Sequence, residues 1–348
     1  MEHPRDKRIV VIGGGIVGAS LAYYLADRGA KVSLVEAQEI AGAVTATSFA
    51  WLNTSHPGPD PIAPLRSAAI KEYHQLEAQL PGLQIQWTGA LSYSGSLPPS
   101  TNRVPRSRIL ELEPNLKHPP HYATYVAEEG ALDAVAATHA LVAGAQANGA
   151  QVHTQTRVLG FTREGEQVTG VETSRGIIQA DIVVLAAGTG IASLADMLQV
   201  HLPITASPAI FIRYKPLPNC VCTLISSPEM EVRQNADGTL LAAEDYLDDA
   251  LENQPEAIAR RTAKAIQDEL HGVASLEPQL ARVGLRPIPA DGIPIIGYLP
   301  KVGGVYVCVM HPGVTLAAIV GRLASEELID GTPPEAFGAC RPDRFFRG

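Results

Sequence analysis

Residues 8–36 read RIVVIGGGIVGASLAYYLADRGAKVSLVE, and this stretch decides the fold. Residues 9–12 form a short apolar run rich in β-branched side chains, the mark of a buried strand. Gly13, Gly15 and Gly18 follow at G-x-G-x-x-G spacing. Ile16, Ala19, Leu21, Ala22 and Leu25 then recur at helical period, and Gly29 suits the left-handed residue that closes a helix. A second strand is read over residues 32–35, with Glu36 at its carboxyl end.

Each residue type answers a chemical need. Gly13 permits a tight turn, Gly15 lets backbone approach a pyrophosphate, and Gly18 lets helix and strand pack closely. The opening N–H groups at Gly15, Ile16 and Val17 lie at the positive end of the helix dipole. Glu36 is placed to accept hydrogen bonds from a ribose, and an acid there favours FAD or NAD over NADP. A glycine-rich turn in another α/β protein is the competing reading. Strand, glycines, helix, strand and acid in that order argue against it.

The chain has 348 residues, 46% of them hydrophobic and 18% charged, enough for a large core and two or three domains. Its net charge is −9 and it has no basic run, which argues against a nucleic-acid partner. No apolar segment is long enough to span a bilayer, and the start, MEHPRDKR, does not resemble a signal peptide. The four cysteines, Cys220, Cys222, Cys308 and Cys340, lack metal-ligand spacing, so no metal site is expected. Free thiols in a reducing, cytoplasmic setting are the default. Cys220 and Cys222, two apart, would share a face of a strand; Cys308 reads as a small buried hydrophobe.

Residues 37–64 form a long loop of small, hydroxylated and proline residues. Thr45, Thr47 and Ser48 there suit phosphate or ring contacts, or ordinary turns. A helix is read over 65–80, half-buried strands over 84–87 and 90–93, and a short helix ending at Pro114. Asp133 caps a helix closing near Gly149. Strands follow at 152–156, around 164–166, and over 182–185, the last leading into Ala186, Ala187 and Gly188. Residues 201–281 read as strands plus one polar helix with a charged, solvent-exposed face. Further on come a proline-rich extended segment, a strand at 305–310, a turn at 311–315 and a helix at 316–329 with Thr315 as its cap. The end, from Thr332, reads as an exposed tail.

Four blocks together resemble the FAD-dependent D-amino-acid oxidase superfamily, the group of glycine oxidase, sarcosine oxidase and D-amino-acid dehydrogenases. They are residues 10–36, residues 128–161, ADIVVLAAGTG at 180–190, and GLRPIPADGIPIIG at 284–297 with HPGVTLA at 311–317. The resemblance implies an α/β (α+β) chain with a discontinuous Rossmann-like FAD domain at 1–82, 126–200 and 282–348. A β-sheet-based substrate domain would take 83–125 and 201–281. It implies noncovalent FAD held by Gly13, Gly15, Ile16, Val17, Gly18, Glu36, Ala37, Thr47, Ser48, Val158, Ala187, Gly188, Pro312, Gly313, Val314 and Thr315. His56 and Cys308 are the remote candidates for covalent attachment. Ala37 stands where the family often has a basic residue.

The likeness further implies oxidation of the C–N bond of a small amino acid or secondary amine, with dioxygen or another electron acceptor. Arg286 matches the substrate-carboxylate arginine. His311 is a catalytic or a turn-capping histidine, and Tyr246 a candidate substrate tyrosine. Arg213, Tyr214 and Trp51 are weaker candidates. The alternative function is a flavin-bearing electron-transfer subunit of a larger complex. A homo-oligomer and a partner subunit both stay open.

Overall fold

The computed structural model describes residues 7–54, 59–94 and 102–346. Its centre is a six-stranded sheet in the order Ile295–Tyr298, Val305–Val309, Ile182–Leu185, Arg8–Ile12, Lys31–Val35, Gln151–His153. All its neighbours are parallel except the first pair. Side chains of Arg8–Ile12 alternate between two cores, as the two-residue period of a strand requires. Ile9 and Val11 pack with the helices Ile16–Asp27, Ala63–Gln79, Ala134–Ala147 and Gly313–Asp330. Val10 and Ile12 pack with a three-stranded antiparallel sheet (Val158–Glu164, Gln167–Thr173, Gly176–Gln179) and the helix Ile191–Met197.

An eight-stranded sheet lies beside this unit, in the order Pro278–Pro289, Ile204–Tyr214, Leu240–Asp245, Glu231–Gln234, Leu224–Ser226, Ala90–Ser92, Tyr122–Val126, Arg103–Pro105. One face buries Ile210, Ile212 and Tyr214 against the helix Pro255–Glu269. That helix turns Ile258, Thr262 and Ile266 inward and its charged side outward. The opposite face carries Phe211 and Leu241 in a small core with Phe49, Ala90 and Ala131.

Several expectations need correction. The division expected at residue 282 falls inside the strand Pro278–Pro289, which pairs with Ile204–Tyr214 along its whole length. Cys220 is buried and Cys222 exposed, in a stretch that precedes the strand rather than belonging to it. The last helix begins at Gly313, with Pro312 as its cap, so Thr315 lies in the first turn. The segment from Thr332 is no exposed tail: Phe337 and Cys340 are fully buried. Among the described residues no helix is long and apolar enough to cross a membrane.

Candidate functional site

The glycine turn is built by exclusion. Gly13 has φ 113°, and a Cβ there would lie 2.5 Å from the Ala186 carbonyl oxygen. A Cβ on Gly18 would lie 1.9 Å from the Gly13 oxygen. Gly15 caps the helix, and the Ile16 amide donates to Thr45 Oγ1 at 3.2 Å. The Glu36 carboxylate accepts from the amides of Gly14 and Gln38, each at 2.7 Å. Ala37 follows, half-buried. The Thr156 amide donates to the Glu36 carbonyl at 2.9 Å, which brings the buried Val158 alongside. The Gly13 Cβ position would also crowd Ala187, and Gly188 has φ 56°.

From this turn a cavity of about 360 Å³ runs between the two sheets. Gly15, Ile16 and Val17 form its floor, with Thr45, Thr47, Ser48 and Trp51 from the long loop on one side. Phe211, Glu231, Ala243, Gly284 and Arg286 come from the eight-stranded sheet, and residues 310–315 close the end. Gly284 is required here, since its Cβ would meet Thr47 Oγ1 at 2.3 Å. The closing turn is well anchored. Tyr73 OH donates to the Val314 carbonyl, and Thr315 Oγ1 donates to the Trp51 carbonyl at 3.0 Å. Trp51 Nε1 in turn donates to the buried Glu129 at 2.8 Å.

The electrostatics centre on Arg286. Its Nη2 donates to Ser207 Oγ at 3.0 Å and to the Pro208 carbonyl at 3.3 Å. Its Nε is buried with no acceptor among the described residues. The residue lines the cavity, and a guanidinium there suits an anion. His311 is pushed down to about 4 by burial, then by the charges of Arg286 and Arg66. Its side chain lines the cavity and is exposed there, and the lowered value leaves it uncharged near neutrality.

The cavity therefore brings together Gly15, Ile16, Val17, Thr47, Ser48, Arg286, His311 and residues 312–315. Gly13, Gly18, Glu36, Ala187 and Gly188 shape the turn behind it, with Val158 beside Glu36. Tyr246 lies away from it, its hydroxyl donating to Asp249. Tyr214 is also elsewhere, buried with its hydroxyl on the Ala259 carbonyl at 2.7 Å. Arg213 sits 3.9 Å from Asp133. Cys308 is buried in the core and does not line the cavity, and His56 lies outside the described residues.

Among the cavity residues that escaped the sequence reading are Phe211, Glu231 and Ala243. Their signal was faint: Glu231 and Arg233 are charged residues two apart on a strand, hence on one face. Arg233 explains itself, as a buried cation donating to the carbonyls of Phe49 at 2.7 Å and Leu132 at 2.9 Å.

Residues 8–327 match the family described as FAD dependent oxidoreductase. A curated glycine oxidase from Pseudomonas aeruginosa is 27% identical over 353 residues, covering 94% of this chain and 96% of that protein. The crystal structure of L-proline dehydrogenase from P. horikoshii superposes with a TM-score of 0.88 at 21% identity, covering 99% of each chain. Glycine oxidase from Bacillus cereus does so with a TM-score of 0.80 at 24% identity, covering 93% of this chain and 95% of the other. The residues present fit FAD. The Gly13–Gly18 turn leaves no room for side chains beside a helix start, and the cavity continues from there to a second helix start at Gly313.

Proposed function

This chain belongs to the family of FAD-dependent oxidoreductases, and we propose that it oxidises the C–N bond of a small amino acid or secondary amine to an imine, which water hydrolyses. When bound, the flavin supplies the acceptor for a hydride at N5. The protein's part is to hold, orient and exclude. Gly13, Gly15 and Gly18 open space for the pyrophosphate, and the first-turn amide of Val17 offers a donor to it. Glu36, already fixed by two backbone amides, presents its remaining lone pairs to a ribose.

At the far end the helix Gly313–Asp330 begins against the cavity, so its dipole would give a positive field to negative charge on a flavin held there. Thr47 and Ser48 lie along the same wall. Arg286 clamps the substrate carboxylate through paired hydrogen bonds, which fixes the α-carbon in place. His311, neutral, adds no competing cation.

The single observation that carries this reading is Arg286, a guanidinium fixed by Ser207 and the Pro208 carbonyl in the wall of the cavity that begins at the glycine turn. An anaerobic screen tests it, following flavin absorbance with glycine, sarcosine, proline, and D- and L-amino acids. Bleaching by at least one of them is expected, with colour returning when dioxygen or another acceptor is added. A flavin that none of them reduces overturns the reading. The alternative of an electron-transfer subunit is not favoured by these relatives.

A further inference from the structure

Arg286 and Glu231 both line the cavity, but they come from different strands of the eight-stranded sheet. Glu231 lies opposite Ala243, and Ala243 lies opposite Phe211 on the next strand. Arg286 lies opposite Ser207, four residues before Phe211. Directly opposed residues share a face, and so do alternate residues along a strand, so both side chains leave the sheet on the cavity side. Three strand spacings and four residues separate the two backbones, about 14 Å in each direction. Arg286 closes part of that gap, because its bonds to Ser207 and Pro208 lay the guanidinium over the neighbouring strand. No ion pair joins it to Glu231 among the described residues, although each charge favours the other. Both charges line one cavity from the same face of the sheet, so a small zwitterion entering it meets a cation and a carboxylate.

We propose that Glu231 is a catalytic residue that takes the proton of the substrate's ammonium group while Arg286 holds its carboxylate. The substrate is then an α-amino or α-(alkylamino) carboxylate, bound as its zwitterion. This rests on the reading of the chain as an amine or amino-acid oxidoreductase. In the step, one N–H bond of the ammonium breaks and its electron pair stays on nitrogen. The proton forms an O–H bond on the Glu231 carboxylate, so both groups become neutral. The freed lone pair is the one that becomes the second C–N bond when the α C–H is oxidised.

The surroundings agree with that task. Burial pushes Glu231 up to about 7, helped by the charges of Glu244 and Asp245 on the adjoining strand and opposed by Ser226 and Arg286. Glu244 is itself occupied, accepting from Thr262 at 2.7 Å. Arg233, two residues along, has its pKa lowered to about 10 by burial and stays a cation. His311 is neutral above pH 5, its pKa depressed to about 4. Glu231 thus changes charge near neutrality, where a general base works best.

The test uses the FAD-loaded protein, with Glu231→Gln and Glu231→Asp variants carrying normal flavin content. Rates of anaerobic flavin reduction by an α-amino acid are measured from pH 5.5 to 10. Binding of propionate, which has no amine, is followed by the flavin absorbance. In the wild type, reduction rises with an inflection near 7. In Glu231→Gln that inflection disappears, the rate follows the free amine's own ionisation, and reduction at pH 7 falls by about 100-fold. Glu231→Asp recovers part of the loss, and propionate binds all three proteins alike. Retention of the inflection in Glu231→Gln overturns the proposal, and so does a loss of propionate binding equal to the loss of rate. If no amine reduces the wild-type flavin, the parent reading falls with it.

Discussion

Arg286 and Ser207 face each other across an antiparallel pair, and the serine hydroxyl accepts from the arginine's Nη2 at 3.0 Å. The bond, with a second to the Pro208 carbonyl, fixes the guanidinium in the cavity wall. Removing the serine oxygen should loosen the clamp without removing its charge. Ser207→Ala is expected to raise KM for a carboxylated substrate about 3–10-fold with kcat little changed, the worth of one hydrogen bond. Arg286→Lys keeps the charge but loses the fork, and should cost about 100-fold in kcat/KM. Equal kinetics for wild type and Arg286→Lys would remove this residue from substrate binding.

Two glycines of the same turn should fail in different ways. Gly18→Ala places a Cβ 1.9 Å from backbone oxygen, so the turn must open and the protein should be insoluble or lose several kcal/mol of stability. Gly15→Ala meets only Thr45 Oγ1 at 3.2 Å, with φ at −77°. It should fold within about 1 kcal/mol of wild type. Its new methyl group would nonetheless face the cavity where backbone must approach the pyrophosphate. Melting of the apoprotein and FAD titration separate the two effects. Tight FAD binding by a well-folded Gly15→Ala protein would contradict this placement.

What could be read without coordinates follows from the range of the forces involved. The contact of Gly18 with Gly13, Asp133 as a cap and the helix closing at Gly29 are set by residues close by in the chain. Asp133 does accept from the amides of Val135 and Ala136, each at 2.9 Å. Thr315 misled because threonine is a good cap, yet its hydroxyl is already committed to the Trp51 carbonyl, 264 residues earlier. Glu231 was illegible for a related reason. Its place on the same cavity as Arg286 depends on the register of four strands drawn from residues 204–289, and no local pattern encodes that. Tyr246 shows the reverse error, a residue type suited to a substrate pocket but held by its near neighbour Asp249.

The C-terminal segment, read from the sequence as an exposed tail, closes a buried charge. Glu327 accepts from Tyr306 OH at 2.8 Å and from Arg341 Nη1 at 2.8 and 2.9 Å. Without the arginine, a carboxylate that is 6% exposed keeps only a neutral donor. Arg341→Ala should therefore cost about 3 kcal/mol, and deletion from Thr332 onward, which also bares the sites of Phe337 and Cys340, should prevent folding. Urea denaturation of Arg341→Ala checks this, and an unchanged midpoint would show the pair to be idle.

Glu231 makes a stability prediction separate from its chemistry. Burial raises its pKa from the ordinary 4.5 to about 7 in the folded chain. For a group raised on folding, the native state is favoured below the ordinary value, and that advantage is lost as pH climbs through the folded value. Wild type should thus give up to about 3 kcal/mol between pH 4.5 and 7 on account of this side chain. Glu231→Gln has no proton to lose, and it keeps the shape. The variant should match or trail the wild type at pH 4.5 and exceed its urea midpoint at pH 8. A gain of equal size at both pH values would mean that Glu231 is ionised throughout, in free exchange with water rather than walled into the cavity.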